Sequence, residues 1–284
     1  MIESFDVLDS LMAEFVEEPF TVTVPCTQHK LACVFHRVLA PYVDEQNREH
    51  VVILCHGYLA NKNSVFLPQL SREMSDSVNN RFHSVRFDFH GCGESTGRED
   101  WDYGGYENET RNDLRSVVEY IRNSNEKYFV RGLIGHSRAG TTVLLYATYF
   151  DDIPIIVNVA GRFRLDRGII ERFSQEQLEQ LKNNGSFLIK TMKDGDFQIT
   201  SEGIDRRKNI DLRQIEKVRH AKVLNIWGDQ DTVIPNDDIY MYHNHLQGTK
   251  ETKMIIVPDA DHCFTDTENI LIRLIQPWIN QSID

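Results

Sequence analysis

The sequence predicts an α/β fold: a mostly parallel central sheet flanked by helices, with a small inserted cap. Short β-rich runs alternate with longer amphipathic ones, the order that builds a helix-covered sheet. The runs VVILC, PIIVNVA and KVLNIW are almost wholly apolar, as strands buried on both faces must be. A stretch of about 60 residues separates two such strands, where an ordinary βα connection needs roughly 2–6.

Taken in order, strands are expected at Phe20–Pro25, Leu31–Leu39, Val51–Cys55, His83–Phe89, Phe129–Ile134, Ile155–Val159, Lys222–Ile226 and Lys253–Val257. The first two read as an antiparallel hairpin closed by the polar turn Cys26–Lys30. Helical periodicity covers Ser64–Asn79, Asn108–Ser124, Arg138–Phe150, Asn236–His245 and Glu268–Asn280. Residues 1–160 and 217–284 then form the main domain, and 161–216 the cap. Within the cap, RLDRGIIERFSQEQLEQLKNN is amphipathic, and the Gly-punctuated GSFLIKTMKDGDFQIT suits a hairpin. Four phenylalanines there, Phe163, Phe173, Phe187 and Phe197, either wall the cleft or pack the cap onto the main domain.

Composition narrows the function. With 40% hydrophobic and 26% charged residues the chain can build an ordinary globular core. A net charge of −12 opposes contact with nucleic-acid phosphates and anionic lipid surfaces, so neither partner is expected. The five cysteines (Cys26, Cys33, Cys55, Cys92, Cys263) are odd in number and show no CxxC pair, which argues against a disulfide framework or a zinc site. The N-terminus is acidic and lacks the basic-then-apolar order of a leader. No run approaches the roughly 18–20 apolar residues of a membrane span. A soluble cytoplasmic protein is the expectation. A homodimer is compatible with the sequence, which does not speak for or against it.

Four segments carry chemistry. In YFVRGLIGHSRAGTTVLLYA a strand runs through Gly135-His136-Ser137-Arg138-Ala139-Gly140 directly into a helix. That is the setting of a nucleophilic serine on a sharp strand-to-helix turn, although Ala139 stands where such turns usually carry Gly. Ser137 capping the helix is the plainer alternative. In VVILCHGYLANKNS, Gly57 lets the chain turn the next amide into a cleft. The N–H groups of Tyr58 and Arg138 are therefore candidate oxyanion donors, while His56 reads as a loop residue. In IWGDQDTVIP a strand ends in an acidic loop where Asp229 and Asp231 compete as triad acid. In MIIVPDADHCFTD a late strand delivers His262. Serine, acid and histidine fall in the chain order of one hydrolase type, unlike the orders of chymotrypsin or subtilisin.

Through HGYLANKNS, VRFDFHGCGESTG, GHSRAG, GDQDTVIP and DADHCFTD the chain resembles the α/β-hydrolase superfamily over nearly its whole length. Within it, the chain looks most like cinnamoyl and feruloyl esterase-like proteins and the eukaryotic esterase/lipase/thioesterase group. Asp88, Gly91, Gly93 and Ser95 match the loop after the family's fourth strand, and NVAGRFRLDRGI looks like the eukaryotic group. The resemblance implies an α/β-hydrolase fold, and a triad of Ser137, His262 and Asp231 with Tyr58 supplying an oxyanion amide. It implies acyl transfer on carboxylic esters of small molecules, with no metal and no organic cofactor. Relatives carry Gln or Lys where Arg138 stands, which places an unusual cation at the expected cleft rim. A carboxylate partner is the expected fate of that cation, and recognition of an acidic group the alternative. A thioesterase or serine peptidase on the same triad, or a hydrolase-like binding protein, stays open. A dehalogenase does not, because its nucleophile would be Asp at position 137. Substrate-binding residues are not legible.

Overall fold

A computed structural model describes residues 15–75, 81–191 and 195–283. The N-terminal residues read above as lacking a leader lie mostly outside the described residues, as does the end of the helix expected over Ser64–Asn79.

Among the described residues, ten strands alternate with helices. The antiparallel pair β1 (Phe15–Thr23) and β2 (Lys30–Val38) opens the chain and lies at one edge of the sheet. Beyond it come β3 (Glu49–Cys55), β4 (His83–Phe87), β5 (Tyr128–His136), β6 (Ile155–Val159), β9 (Lys222–Gly228) and β10 (Glu251–Val257). These six are parallel to one another, and the full order is β1-β2-β4-β3-β5-β6-β9-β10. The observed strands start or end a few residues away from the expected limits at most ends: β3, β5, β9 and β10 pair beyond the apolar run, whereas β1, β2 and β4 stop one or two residues short at their C-terminal ends.

The sheet is covered on both faces, as its apolar strands require. Successive residues of β3 point to opposite sides: Val51, Ile53 and Cys55 join one core, and Val52 and Leu54 the other. All five are fully buried. The first core is closed by α3 (Arg115–Ser124), α4 (Arg138–Phe150) and α7 (Asp237–His245), the second by α1 (Leu67–Ser75) and α8 (Glu268–Ile279).

Ahead of α3, a short α2 (Tyr106–Asn108) runs into one widened π turn over Glu109–Leu114. The widening lets Glu109, Thr110, Asp113 and Leu114 all point inward. Burying two carboxylates on one turn is costly without partners, and both have them, as described below.

The insertion between β6 and β9 holds α5 (Gln175–Asn184), the hairpin β7 (Ser186–Thr191) and β8 (Gly195–Thr200), and α6 (Ser201–Lys208). A capping box on Ser174 and Gln177 starts α5, and Gly185 in left-handed conformation ends it. Phe173, Phe187 and Phe197 form a third apolar cluster with Trp101, Tyr103, Ile199 and Ile204, and so pack the insertion onto the loop before α2. Phe163 departs from that group. It sits in the main core, edge-on to Tyr242 at 5.1 Å.

Candidate active site

The strand ends of the parallel sheet converge on one point. β5 stops at His136 and α4 begins at Arg138, leaving only Ser137 to reverse the chain. Ser137 does so at φ 55° and ψ −117°, a conformation an L-residue holds only when its surroundings impose it. Its N–H donates to Val159 O at 2.8 Å and its carbonyl accepts from Gly140 N–H at 2.9 Å. The closeness of the turn explains its small residues. A Cβ on Gly135 would collide with the Ala139 carbonyl, and one on Gly140 with the Asn158 side chain. Ala139 itself is fully buried without conflict, so the residue two after the serine accommodates a methyl here.

The structure brings Ser137, His262 and Asp231 together. His262 Nε2 lies 2.9 Å from Ser137 Oγ, and His262 Nδ1 lies 2.7 Å from Asp231 Oδ2. The other oxygen, Asp231 Oδ1, accepts the N–H groups of Val233 and Ile234, both at 2.8 Å. Those two bonds fix the carboxylate plane and leave Oδ2 for the imidazole. The Asp231 side chain is fully buried, whereas Asp229 is exposed and, among the described residues, its side chain bonds only the amide of Gln230. Of the two competing acids, Asp231 is the one at the histidine. With Nδ1–H donating to the carboxylate, Nε2 carries the lone pair and faces the serine hydroxyl, the arrangement a general base needs.

Gly57 presses against this turn. A Cβ there would lie 3.1 Å from Ser137 Cβ, so the loop after β3 passes directly beside the nucleophile candidate. Among the described residues, the backbone N–H groups of Tyr58 and Arg138 donate to no protein acceptor. His56 is tied into the loop: Nδ1 bonds Gly57 O at 2.9 Å and Nε2 accepts Phe89 N–H at 3.1 Å.

Arg138 does not stand at the cleft rim. Its side chain is buried, with Nε donating to both Glu109 oxygens at 2.8 and 2.9 Å. Two further N–H groups donate to Tyr103 O at 2.7 Å and Asp102 O at 3.1 Å, and Tyr106 stacks 4.1 Å from the guanidinium carbon. Burial alone would favour loss of the proton, but Glu109 outweighs it and holds the guanidinium above its usual range. The expected carboxylate partner therefore exists, and the alternative of an acidic ligand at Arg138 is excluded because every face of the group is spoken for.

Further side chains support the site, of which only the Asp88 loop was legible in the sequence. His136 Nε2 donates to the His262 carbonyl at 2.8 Å, and the two rings lie 5.1 Å apart. Burial pushes His136 down to about 4, and the neighbouring His262 adds to that. It therefore stays a neutral, fixed donor. Behind the loop after β4, Asp88 accepts Lys62 N–H at 2.6 Å, Lys62 Nζ at 2.7 Å and Glu94 N–H at 2.9 Å. Gly93 has no room for a Cβ beside that carboxylate, which explains the glycine in FDFHGCGES. Deeper in, Asp113 Oδ2 accepts from both His90 N–H and His90 Nδ1. His90 is at once buried, which opposes its charge, and paired with Asp113, which prevails and raises it. Among the described residues no group of His, Cys, Asp and Glu is placed to hold a metal ion.

Comparison with known proteins agrees with this architecture. A family model described as alpha/beta hydrolase fold matches residues 50–181. No curated protein matches the chain. Among solved structures, the chain is similar to Est1E from Butyrivibrio proteoclasticus with ferulic acid bound, at 17% identity and TM-score 0.68, covering 92% of this chain and 97% of that one. It is also similar to the Pyrococcus furiosus esterase Pf2001, at 14% identity, TM-score 0.67, and 94% and 92% coverage. A dienelactone hydrolase from Anabaena variabilis matches at 14% identity, TM-score 0.62, and 95% and 99% coverage. The chain has the α/β-hydrolase fold, and the solved structures that share it include esterases. No helix among the described residues is long and apolar enough to cross a membrane.

Proposed function

We propose that the protein is a serine hydrolase that cleaves carboxylic esters through an acyl-enzyme. One observation carries the reading: a continuous chain of hydrogen bonds runs from Ser137 Oγ through His262 to a buried Asp231 at 2.9 and 2.7 Å. It starts on a residue held at positive φ by the strand-to-helix turn.

In this mechanism His262 Nε2 takes the hydroxyl proton as Ser137 Oγ attacks the ester carbonyl. Asp231 holds the imidazole by Nδ1–H and stabilises its cation. The carbonyl oxygen becomes an oxyanion, and the free N–H groups of Tyr58 and Arg138 are the donors proposed for it. Each such donor contributes roughly 3–4 kcal/mol to the transition state. His262 returns the proton to the leaving alcohol, then activates the water that releases the acid. The insertion, proposed as a cap over 161–216, closes over the loops after β3 and β4 through the Trp101 and Tyr103 contacts. The substrate is a small-molecule ester and no cofactor takes part. The five cysteines are all free thiols, which favours a reducing compartment such as the cytoplasm.

Hydrolysis of short p-nitrophenyl esters tests the proposal. Wild-type protein should turn over and release p-nitrophenol, and Ser137→Ala should lose roughly 10⁶-fold in kcat. Turnover retained in a folded Ser137→Ala variant would remove the serine from the mechanism.

A further inference from the structure

The described residues carry an uneven distribution of charge around the proposed cleft. Most cations near it are matched. Lys62 pairs with Asp88, Arg138 with Glu109, Arg164 with Asp166 and Arg206 with Asp102. Among the described residues, four arginines of the insertion are not: Arg162, Arg167, Arg172 and Arg207 have no carboxylate within ion-pair distance. Arg162 is buried and donates to Val233 O at 2.5 Å, and Arg207 is buried and donates to the carbonyls of Leu165 and Arg167. Arg172 is exposed, and its guanidinium carbon stands 4.8 Å over the Tyr58 ring.

These three cations sense one another. Burial depresses the Arg162 guanidinium, Asp238 opposes that, and Arg207 and Arg172 add like-charge repulsion. Asp238, the carboxylate that acts on Arg162, is buried and occupied by the Phe163 N–H at 2.9 Å. The three guanidinium groups thus bring like charge together on a chain whose net charge is −12. Uncompensated cations of one sign at a cleft are what attract and orient an anion.

Position makes the field relevant. Tyr58 follows Gly57, which touches Ser137, and the Tyr58 ring packs on Tyr103 at 5.6 Å. Arg207 in turn lies 5.2 Å from the Tyr103 ring. The Tyr58 hydroxyl is buried and has no hydrogen-bond partner among the described residues, a donor whose burial is costly unless something accepts from it. Burial keeps that phenol protonated. The exposed planar guanidinium of Arg172, standing over the Tyr58 ring, matches the two oxygens and single charge of a carboxylate. A phosphate would ask for more donors than are free here.

We propose that the substrate is an ester bearing a carboxylate, held by Arg172 where it stands over the Tyr58 ring, with the like charges of Arg162 and Arg207 behind it. This rests on the ester-hydrolase reading and specifies its substrate class.

Binding to the full-length Ser137→Ala protein tests it without requiring turnover. Calorimetry compares monoethyl adipate with ethyl hexanoate, which places the charge on the acyl side. It also compares 6-acetoxyhexanoate with hexyl acetate, which places it on the alcohol side. At least one charged ester should bind about 10-fold or more tighter than its neutral counterpart, the scale of one charge-assisted hydrogen bond. That ratio should collapse in Arg172→Gln, recover in part in Arg172→Lys, and shrink at high salt. Equal or tighter binding of both neutral esters overturns the proposal, as does a ratio unchanged by Arg172→Gln. Wild-type turnover of p-nitrophenyl esters is read separately. Its absence would defeat the hydrolase reading, while charge-selective binding would still stand or fall alone.

Discussion

Replacing Glu109 by Gln isolates one electrostatic element of the site. The change keeps size and shape but leaves the Arg138 guanidinium buried without its counter-charge, since its remaining acceptors are the carbonyls of Tyr103 and Asp102. Breaking a buried ion pair on one side costs about 3–5 kcal/mol, most of it the penalty of an uncompensated charge. For a domain of this size each kcal/mol moves the melting temperature by about 2–4 °C, so Glu109→Gln should melt roughly 6–20 °C lower. Differential scanning calorimetry at neutral pH measures this. Adding Arg138→Met to Glu109→Leu removes both charges. That double variant should lose less than the sum of its single variants, by about 1–3 kcal/mol of coupling. A Glu109→Gln protein melting within about 2 °C of the parent would refute the reasoning, as would strictly additive losses.

Asp231→Asn should lower kcat on p-nitrophenyl esters about 10⁴-fold, because an amide cannot stabilise the imidazolium or its tautomer, while Asp229→Asn stays within about twofold. Steady-state kinetics checks this, and the reverse ranking would move the acid to Asp229. Acid should also weaken the fold through His136. Native His136 titrates near 4, whereas in the unfolded chain an imidazole takes up its proton near pH 6.5. Between those values the unfolded chain binds more protons, so stability falls as pH drops from about 6.5 towards 4, by roughly 3 kcal/mol from this residue. His36, His50 and His83, lowered chiefly by burial, act in the same direction. Urea midpoints across that range should therefore decline with acid, less steeply in His136→Gln, and parallel profiles would remove His136 from the effect.

Much of the fold was legible because the parallel strands are buried on both faces and so read as apolar runs, with β6 and α4 matching their expected limits. The serine and histidine were legible because each stands where a strand ends. The acid was ambiguous because Gly-Asp-Gln-Asp offers two carboxylates two residues apart. Only the turn after β9, with the amides of Val233 and Ile234, aims Asp231 inward. Arg138 was misplaced at the rim for a related reason. Its partner lies 29 residues earlier, on a π turn that no periodicity argument anticipates. Phe163 was grouped with the insertion because sequence position hides that it packs on Tyr242. His136 offered one signal, an imidazole in an apolar strand beside the nucleophile, but its acceptor is 126 residues away.

An activated serine reacts covalently with a fluorophosphonate whatever the physiological ester, so intact-mass and peptide mapping after labelling test the central claim most directly. The wild-type protein should gain one adduct on Ser137, formed much more slowly in Asp231→Asn and not at all in Ser137→Ala. A folded wild-type protein that takes up no label, or takes it on another residue, would contradict the claim.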